Sequence, residues 1–261
     1  MIHNLVSIHP DAQLGKNVHI DPFVTIHGDV VIGDDTWIGS NVTIMDGARI
    51  GKGCRIFPGA VISAIPQDLK FSGEKTTVEV GDFVTVRECV TLNRGTVDKM
   101  TTKIGAHTLI MAYSHVAHDC FIGENCIIAN AVNMGGHVQV DDFAIIGGMS
   151  AIHQFVRIGA HVMVSGGSLV RKDIPPFVKA GREPVAYLGV NSVGLRRRGF
   201  SNETIHEIQD VYRTLYLSSL NNTKALEKIE TELTASPERD EIISFIRTAR
   251  RGIMRGYGSE E

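Results

Sequence analysis

The sequence predicts a mainly β protein, a parallel β-helix of hexapeptide repeats followed by a C-terminal α-helical domain. Three observations carry this expectation: a six-residue aliphatic recurrence, two interruptions rich in Pro, Gly and charge, and a change to helical spacing beyond Pro176. The recurrence starts at Ile2 and continues through Ile8, Leu14, Ile20 and every sixth residue to Ile62. It returns in the same register at Val80, Val86 and Leu92, and again from Ile104 to Val170. A second small or aliphatic residue follows four positions later at Val18, Val42, Ala60, Cys120 and Val162. A period of six fits neither a helix nor a simple alternating strand. It fits a solenoid of short flat strands joined by tight bends, with the aliphatic residue turned inward and glycine easing the bends.

Two segments interrupt the pattern, near 63–79 ("SAIPQDLKFSGEKTTVE") and 93–103 ("NRGTVDKMTT" and the residue after it). They are expected to leave the coil as loops, where function often sits. The solenoid is expected to stop near "KDIPPF", because Pro175 and Pro176 cannot donate to a ladder. In "SNETIHEIQDVYRTLYLSS", Ser201 is a candidate cap, and Ile205, Ile208, Val211, Tyr212 and Leu215 form an apolar helical stripe. Helices are also expected in "TKALEKIETEL" and "ERDEIISFIRTARRG". The chain thus divides into a solenoid over 1–190 and a helical domain over 191–261.

A net charge of −3 lacks the overall basic footprint of a nucleic-acid binder. Cys54, Cys89, Cys120 and Cys126 show no CxxC spacing and read as small apolar fillers in a reducing compartment. No apolar run approaches the roughly 20 residues that span a bilayer. The start "MIHNLVSIHP" lacks a signal peptide's basic and apolar regions. A cytoplasmic protein without a transmembrane segment is expected.

The hexads resemble those of the hexapeptide-repeat acyltransferases, whose β-helix is left-handed with three hexads per triangular coil. On that geometry the hexads at Val116, Met134 and Ile152 share a face, about 4.8 Å apart if adjacent coils pair as ordinary strands. They carry His118, His137, His153 and Gln154, with His115 at the adjoining corner and Asn130 and Asn133 nearby. Such a cluster suits proton transfer and hydrogen bonding, and Asp119 offers His118 a neighbouring carboxylate.

The segments "HVAHDCFIGENC", "GGHVQVDDFAIIGGMSAIHQFVRIGAHVMV", "IPQDLKFSGE", "NRGT" and "GLRRRGFSNE" resemble, over nearly the whole chain, the UDP-N-acetylglucosamine O-acyltransferases that begin lipid A biosynthesis. The resemblance implies transfer of a 3-hydroxyacyl group from acyl carrier protein to the 3-hydroxyl of UDP-N-acetylglucosamine, by a homotrimer with sites between subunits and no cofactor, metal or covalent intermediate. His118 matches the general base, and the Gly136 N–H matches the oxyanion donor. Asp68, Lys70, His115, His137 and Gln154 match residues that hold the sugar and neighbouring groups. His153 matches a position affecting activity. Asn191, Arg197 and Arg198 match the nucleotide end, where arginine forks suit a diphosphate. Gly166 matches the acyl-chain ruler and leaves room for about fourteen carbons or more. Asn93 departs from the family, where many members have His before "RGT"; it hydrogen-bonds but carries no proton. That departure leaves N-acylation of a 3-amino UDP-sugar as an alternative. Others are a zinc-dependent carbonic anhydrase with His115, His118 and His137 as ligands, and a noncatalytic scaffold or sugar-nucleotide binder. The N-acyltransferase that acts next shares the repeat but has an N-terminal domain that this sequence does not show.

Overall fold

A computed structural model describes residues 1–218 and 220–256. Among the described residues, three sheets of nine, eight and ten strands, parallel except for the last strand of the third, form the sides of a left-handed triangular β-helix. Sheet I runs from Ser7–Ile8 to Leu169–Val170, sheet II from Gln13–Leu14 to Arg157–Ile158, and sheet III from His19–Ile20 to Ala186–Val190. Strands are mostly two residues long and pair eighteen positions apart, as in His115↔Asn133 and Asn133↔Ala151. The second residue of each pair faces inward. Ile26, Ile44, Val116, Met134 and Ile152 therefore stack into one buried column. The column is open at its N-terminal end: Ile2 is 49% exposed, and Ile8 and Leu14 are only partly covered, because no earlier coil packs on them.

The bends work differently from the sequence expectation. Many corners hold non-glycine residues in the left-handed region, among them Asp119 (φ 59°), His137 (φ 63°), Phe155 (φ 65°) and His161 (φ 58°). Each coil anchors the next through amides such as His137 N–H, which donates to His118 O at 3.0 Å. That bond offsets the conformational cost of the left-handed turn. The hexad glycines instead permit close stacking. A Cβ on Gly33 would lie 2.6 Å from the Gly51 carbonyl carbon.

The strands run into both interruptions, so the excursions span 65–76 and 94–100, narrower than expected. Both leave the corner between sheets I and II. The solenoid does not stop at the prolines. Val178–Gly181 adds a parallel strand to sheet III, and Ala186–Val190 pairs antiparallel with it. Pro176 instead sits at a corner, where its carbonyl accepts the Tyr212 hydroxyl at 2.6 Å and so docks the helical region.

Among the described residues four helices follow: α1 (Ser192–Arg197), α2 (Asn202–Leu217), α3 (Asn222–Glu232) and α4 (Pro237–Arg247). Ser201 caps α2, and the five predicted apolar residues are its buried stripe. α1 was not expected; it is a short helix of six residues capped by Asn191. Cys54, Cys120 and Cys126 are buried fillers, and burial pushes their thiols up to about 11, 12 and 12 respectively. Cys89 corrects the expectation: it is exposed, because it occupies a left-handed corner (φ 54°) rather than an inward site. Among the described residues no helix is long and apolar enough to cross a membrane.

The outer faces differ in character. Sheet II presents Arg49, Glu79, Lys103, Gln139 and Arg157, whereas sheet III turns Leu109, Ile127, Ile145 and Met163 outward.

Candidate active site

At the corner between sheets I and II, eighteen-residue stacking builds two side-chain columns, His118–Gly136–Gln154 and Asp119–His137–Phe155. His118 and Asp119 form the centre. His118 Nδ1 lies 2.8 Å from Asp119 Oδ2, and the two side chains are 14% and 0% exposed. Asp119 accepts the Thr96 amide at 2.9 Å on Oδ1 and the Thr96 hydroxyl at 2.6 Å on Oδ2. Its own amide donates to Thr102 Oγ1 at 2.8 Å. Burial acts to raise the Asp119 carboxyl, but the bonds from Thr96 and His118 and the nearby His137 hold it below its ordinary range. An ionised carboxylate on Nδ1 fixes the tautomer and leaves Nε2 as the acceptor.

His137 stands edge-on to His118, with ring centroids 5.1 Å apart, and stacks on Phe155 at 4.4 Å. Its Nδ1 lies 3.2 Å from Asp98 Oδ2 in the second excursion. Burial lowers its pKa, helped by His118 and Lys99 and opposed by Asp119 and Asp98. His115 Nδ1 pairs with Thr91 Oγ1 at 2.7 Å, and burial together with His118 keeps its ring below the ordinary value. Gly136 carries a steric requirement. An added Cβ would lie 2.5 Å from His118 Cε1 and 2.7 Å from Nε2, so only glycine brings its backbone against the imidazole edge. The Gly136 N–H donates to no group among the described residues.

Asp68 and Lys70 lie on the first excursion, rooted at the same corner, with the Lys70 amide donating to Asp68 Oδ1 at 3.0 Å. His153 and Gln154 are exposed on the coil after Gly135 and Gly136. The remaining predicted residues are elsewhere on this chain. Arg198 Nη2 donates to Phe143 O at 2.9 Å, at the corner between sheets II and III, and Arg197 is exposed beside it. Asn191 is buried there, with Nδ2 donating to His161 O at 2.9 Å and Oδ1 accepting from Gly194. Gly166 belongs to the third corner, between sheets III and I, where a Cβ would meet Gly148 O at 3.1 Å.

Ligand atoms of His118, Asp119 and His137 lie within 4.8 Å of one another. This differs from the three-histidine set of the zinc alternative, because His115 turns to Thr91 instead. Thr96 and Asp98 were missed by sequence reasoning. Their signal was the second excursion itself, whose "NRGT" opening supplies the hydroxyl beside the histidine coils.

The profile described as UDP N-acetylglucosamine O-acyltransferase, domain 2, matches residues 173–254, and that of six bacterial transferase hexapeptide repeats matches 29–64 and 101–136. The chain is 41% identical over 255 residues to the acyl-[acyl-carrier-protein]–UDP-N-acetylglucosamine O-acyltransferase of Thiobacillus denitrificans (strain ATCC 25259 / T1), covering 97% of this chain and 99% of the relative. The crystal structure of LpxA, a UDP-N-acetylglucosamine acyltransferase from Bacteroides fragilis 9343, superposes with a TM-score of 0.97 at 54% identity, covering 98% and 100% of the two chains. LpxA from Acinetobacter baumannii gives 0.94 at 39% identity, covering 97% and 99%. The chain belongs to the family of acyl-[acyl-carrier-protein]–UDP-N-acetylglucosamine O-acyltransferases.

Proposed function

We propose that this chain transfers a 3-hydroxyacyl group from acyl carrier protein to the 3-hydroxyl of UDP-N-acetylglucosamine, the opening step of lipid A biosynthesis. The observation that carries the chemistry is the 2.8 Å contact between His118 Nδ1 and the buried Asp119 carboxylate. A sugar hydroxyl attacks a thioester only as it loses its proton. His118 Nε2 takes that proton while the oxygen bonds to the acyl carbon. The Gly136 N–H donates to the resulting oxyanion. Collapse breaks the C–S bond, and the departing thiolate recovers the proton from His118. Asp68, Lys70, His115, His137 and Gln154 orient the acceptor and adjacent groups, and His153 supports that wall. Asn191, Arg197 and Arg198 serve the nucleotide end, and Gly166 limits the acyl chain.

These groups occupy all three corners of one prism, so a single chain does not unite them. A homotrimer resolves the separation by setting corners of neighbouring copies against each other. The outward Leu109, Ile127, Ile145 and Met163 supply an apolar face for such packing. We read 1–190 as the solenoid unit and 191–261 as the helical unit of a cytoplasmic enzyme without nucleic-acid partners.

Incubating the purified chain with 3-hydroxyacyl carrier proteins of graded length and UDP-N-acetylglucosamine, and reading products by mass spectrometry, tests the proposal. O-acylated product is expected, formed about 10²–10⁴-fold more slowly by folded His118→Ala. Product only from a 3-amino UDP-sugar would replace the acceptor assignment.

A further inference from the structure

The tetrapeptide Asn93–Arg94–Gly95–Thr96 touches both halves of the site. At one end, Asn93 is 2% exposed and its Nδ2 donates to Ile65 O at 3.0 Å, at the root of the excursion that carries Asp68 and Lys70. Ala64 and Asn93 are paired across a register shift, so the strand bulges where that excursion leaves. Arg94 continues the hold. Its amide donates to Ala64 O at 2.9 Å, and its guanidinium lies over the Phe71 ring at 5.5 Å, three residues beyond Asp68. At the other end, Thr96 gives Asp119 both an amide and a hydroxyl bond. Gly95 keeps the connection short, because a Cβ there would lie 2.3 Å from the Thr101 amide nitrogen.

We infer that residues 93–96 are a positioning unit: Asn93 and Arg94 fix the acceptor excursion, and Thr96 fixes Asp119 behind His118. Their adjacency sets the spacing between acceptor contacts and base. The inference rests on the roles given above to Asp68, Lys70 and His118. Neither Asn93 nor Thr96 touches the reacting atoms, so both act through other residues.

The test is steady-state kinetics of the full chain with UDP-N-acetylglucosamine varied, alongside thermal melts. Asn93→Ala should raise KM for the acceptor on the order of tenfold with kcat within about twofold, because the excursion loses its root. Thr96→Val should lower kcat on the order of tenfold with KM almost unchanged, and Thr96→Ser should restore most of it. Equal losses in Thr96→Val and Thr96→Ser, or wild-type kinetics in Asn93→Ala, would overturn the unit. If Thr96→Val fails to melt cooperatively, Thr96→Ser and Asn93→Ala decide: near-native kcat in the first with raised KM in the second supports the unit, and any other pattern rejects it. A dead but folded His118→Ala beside unaffected Asn93 and Thr96 variants overturns the positioning unit alone. Turnover retained in His118→Ala overturns the base assignment, and the Thr96 role with it.

Discussion

Two corners of the same prism hold stacked imidazoles, and the difference between them separates chemistry from architecture. At the first, His137 stacks on Phe155 while His118 keeps a 2.8 Å contact with a buried carboxylate. At the second, His161 lies between Phe143 and Phe177 at 4.9 and 5.7 Å, with Phe200 edge-on at 5.1 Å. Its buried Nδ1 has no hydrogen-bond partner among the described residues. Burial, with the Arg198 charge, pushes the His161 ring down to about 4, against the pull of Asp142. One imidazole is held by a carboxylate as the proposed base requires. The other is kept neutral as a packing disc.

The comparison is broken most severely by His118→Ala. Removing the proposed general base should cost about 10²–10⁴-fold in kcat while the melt stays near wild type, since one polar corner side chain leaves the aliphatic column intact. Gly136→Ala should follow, losing on the order of 10²-fold in kcat, because its Cβ would enter the space of the imidazole and displace it. Gly166→Leu should act on selectivity: product yields should shift toward shorter acyl donors by on the order of tenfold per lost methylene. Competition between donors of graded length reads that shift. At the second corner, His161→Phe should leave kcat within about twofold, because that ring takes no part in the proposed proton transfer.

The hexad register made most of the solenoid legible, because a six-residue aliphatic period admits so few backbones. The eighteen-residue coil, which the family resemblance implies, then put His118, His137 and Gln154 on one face. What the periodicity could not supply was direction and depth. Cys89 fits the composition of a filler but falls on an outward corner. The prolines at 175 and 176 looked like a stop, yet a corner needs no ladder donor and the sheet resumes at Val178. Thr96 and Asp98 were hidden because an excursion has no period to place it, and only the folded chain brings it onto Asp119 and His137. Asn191, by contrast, was identified by resemblance, and the fold adds a capping role that its position before a short helix would have suggested.

The mildest expected effect sharpens the contrast through pH. His161 binds its proton near 6.5 when exposed and only at about 4 in the fold. Between those values the unfolded chain carries more protons, so stability rises with pH and is lost as pH falls from about 6.5 to about 4. The full shift corresponds to at most about 3 kcal/mol. His161→Phe should remove this acid-side loss, and Phe is tolerated at such a corner because Phe143, Phe155 and Phe177 already adopt φ of 59°, 65° and 67°. Glu241 on α4, which lines one cleft with His161, Phe143 and Phe177, has the opposite sign. Burial, with Asp141, Glu238 and Asp142, raises it from 4.5 to about 7, so the fold binds the extra proton and stability falls as pH rises through that window. The neighbouring chain crowds the carboxylate, but the residue as a whole is exposed, so solvent screening reduces the effect. In thermal melts from pH 4 to 8, His161→Phe should therefore flatten the acid limb, and Glu241→Gln should raise stability slightly at the alkaline end. An unchanged acid limb in His161→Phe would mean that the loss belongs to other groups, and the two imidazole corners would no longer differ in how they handle a proton.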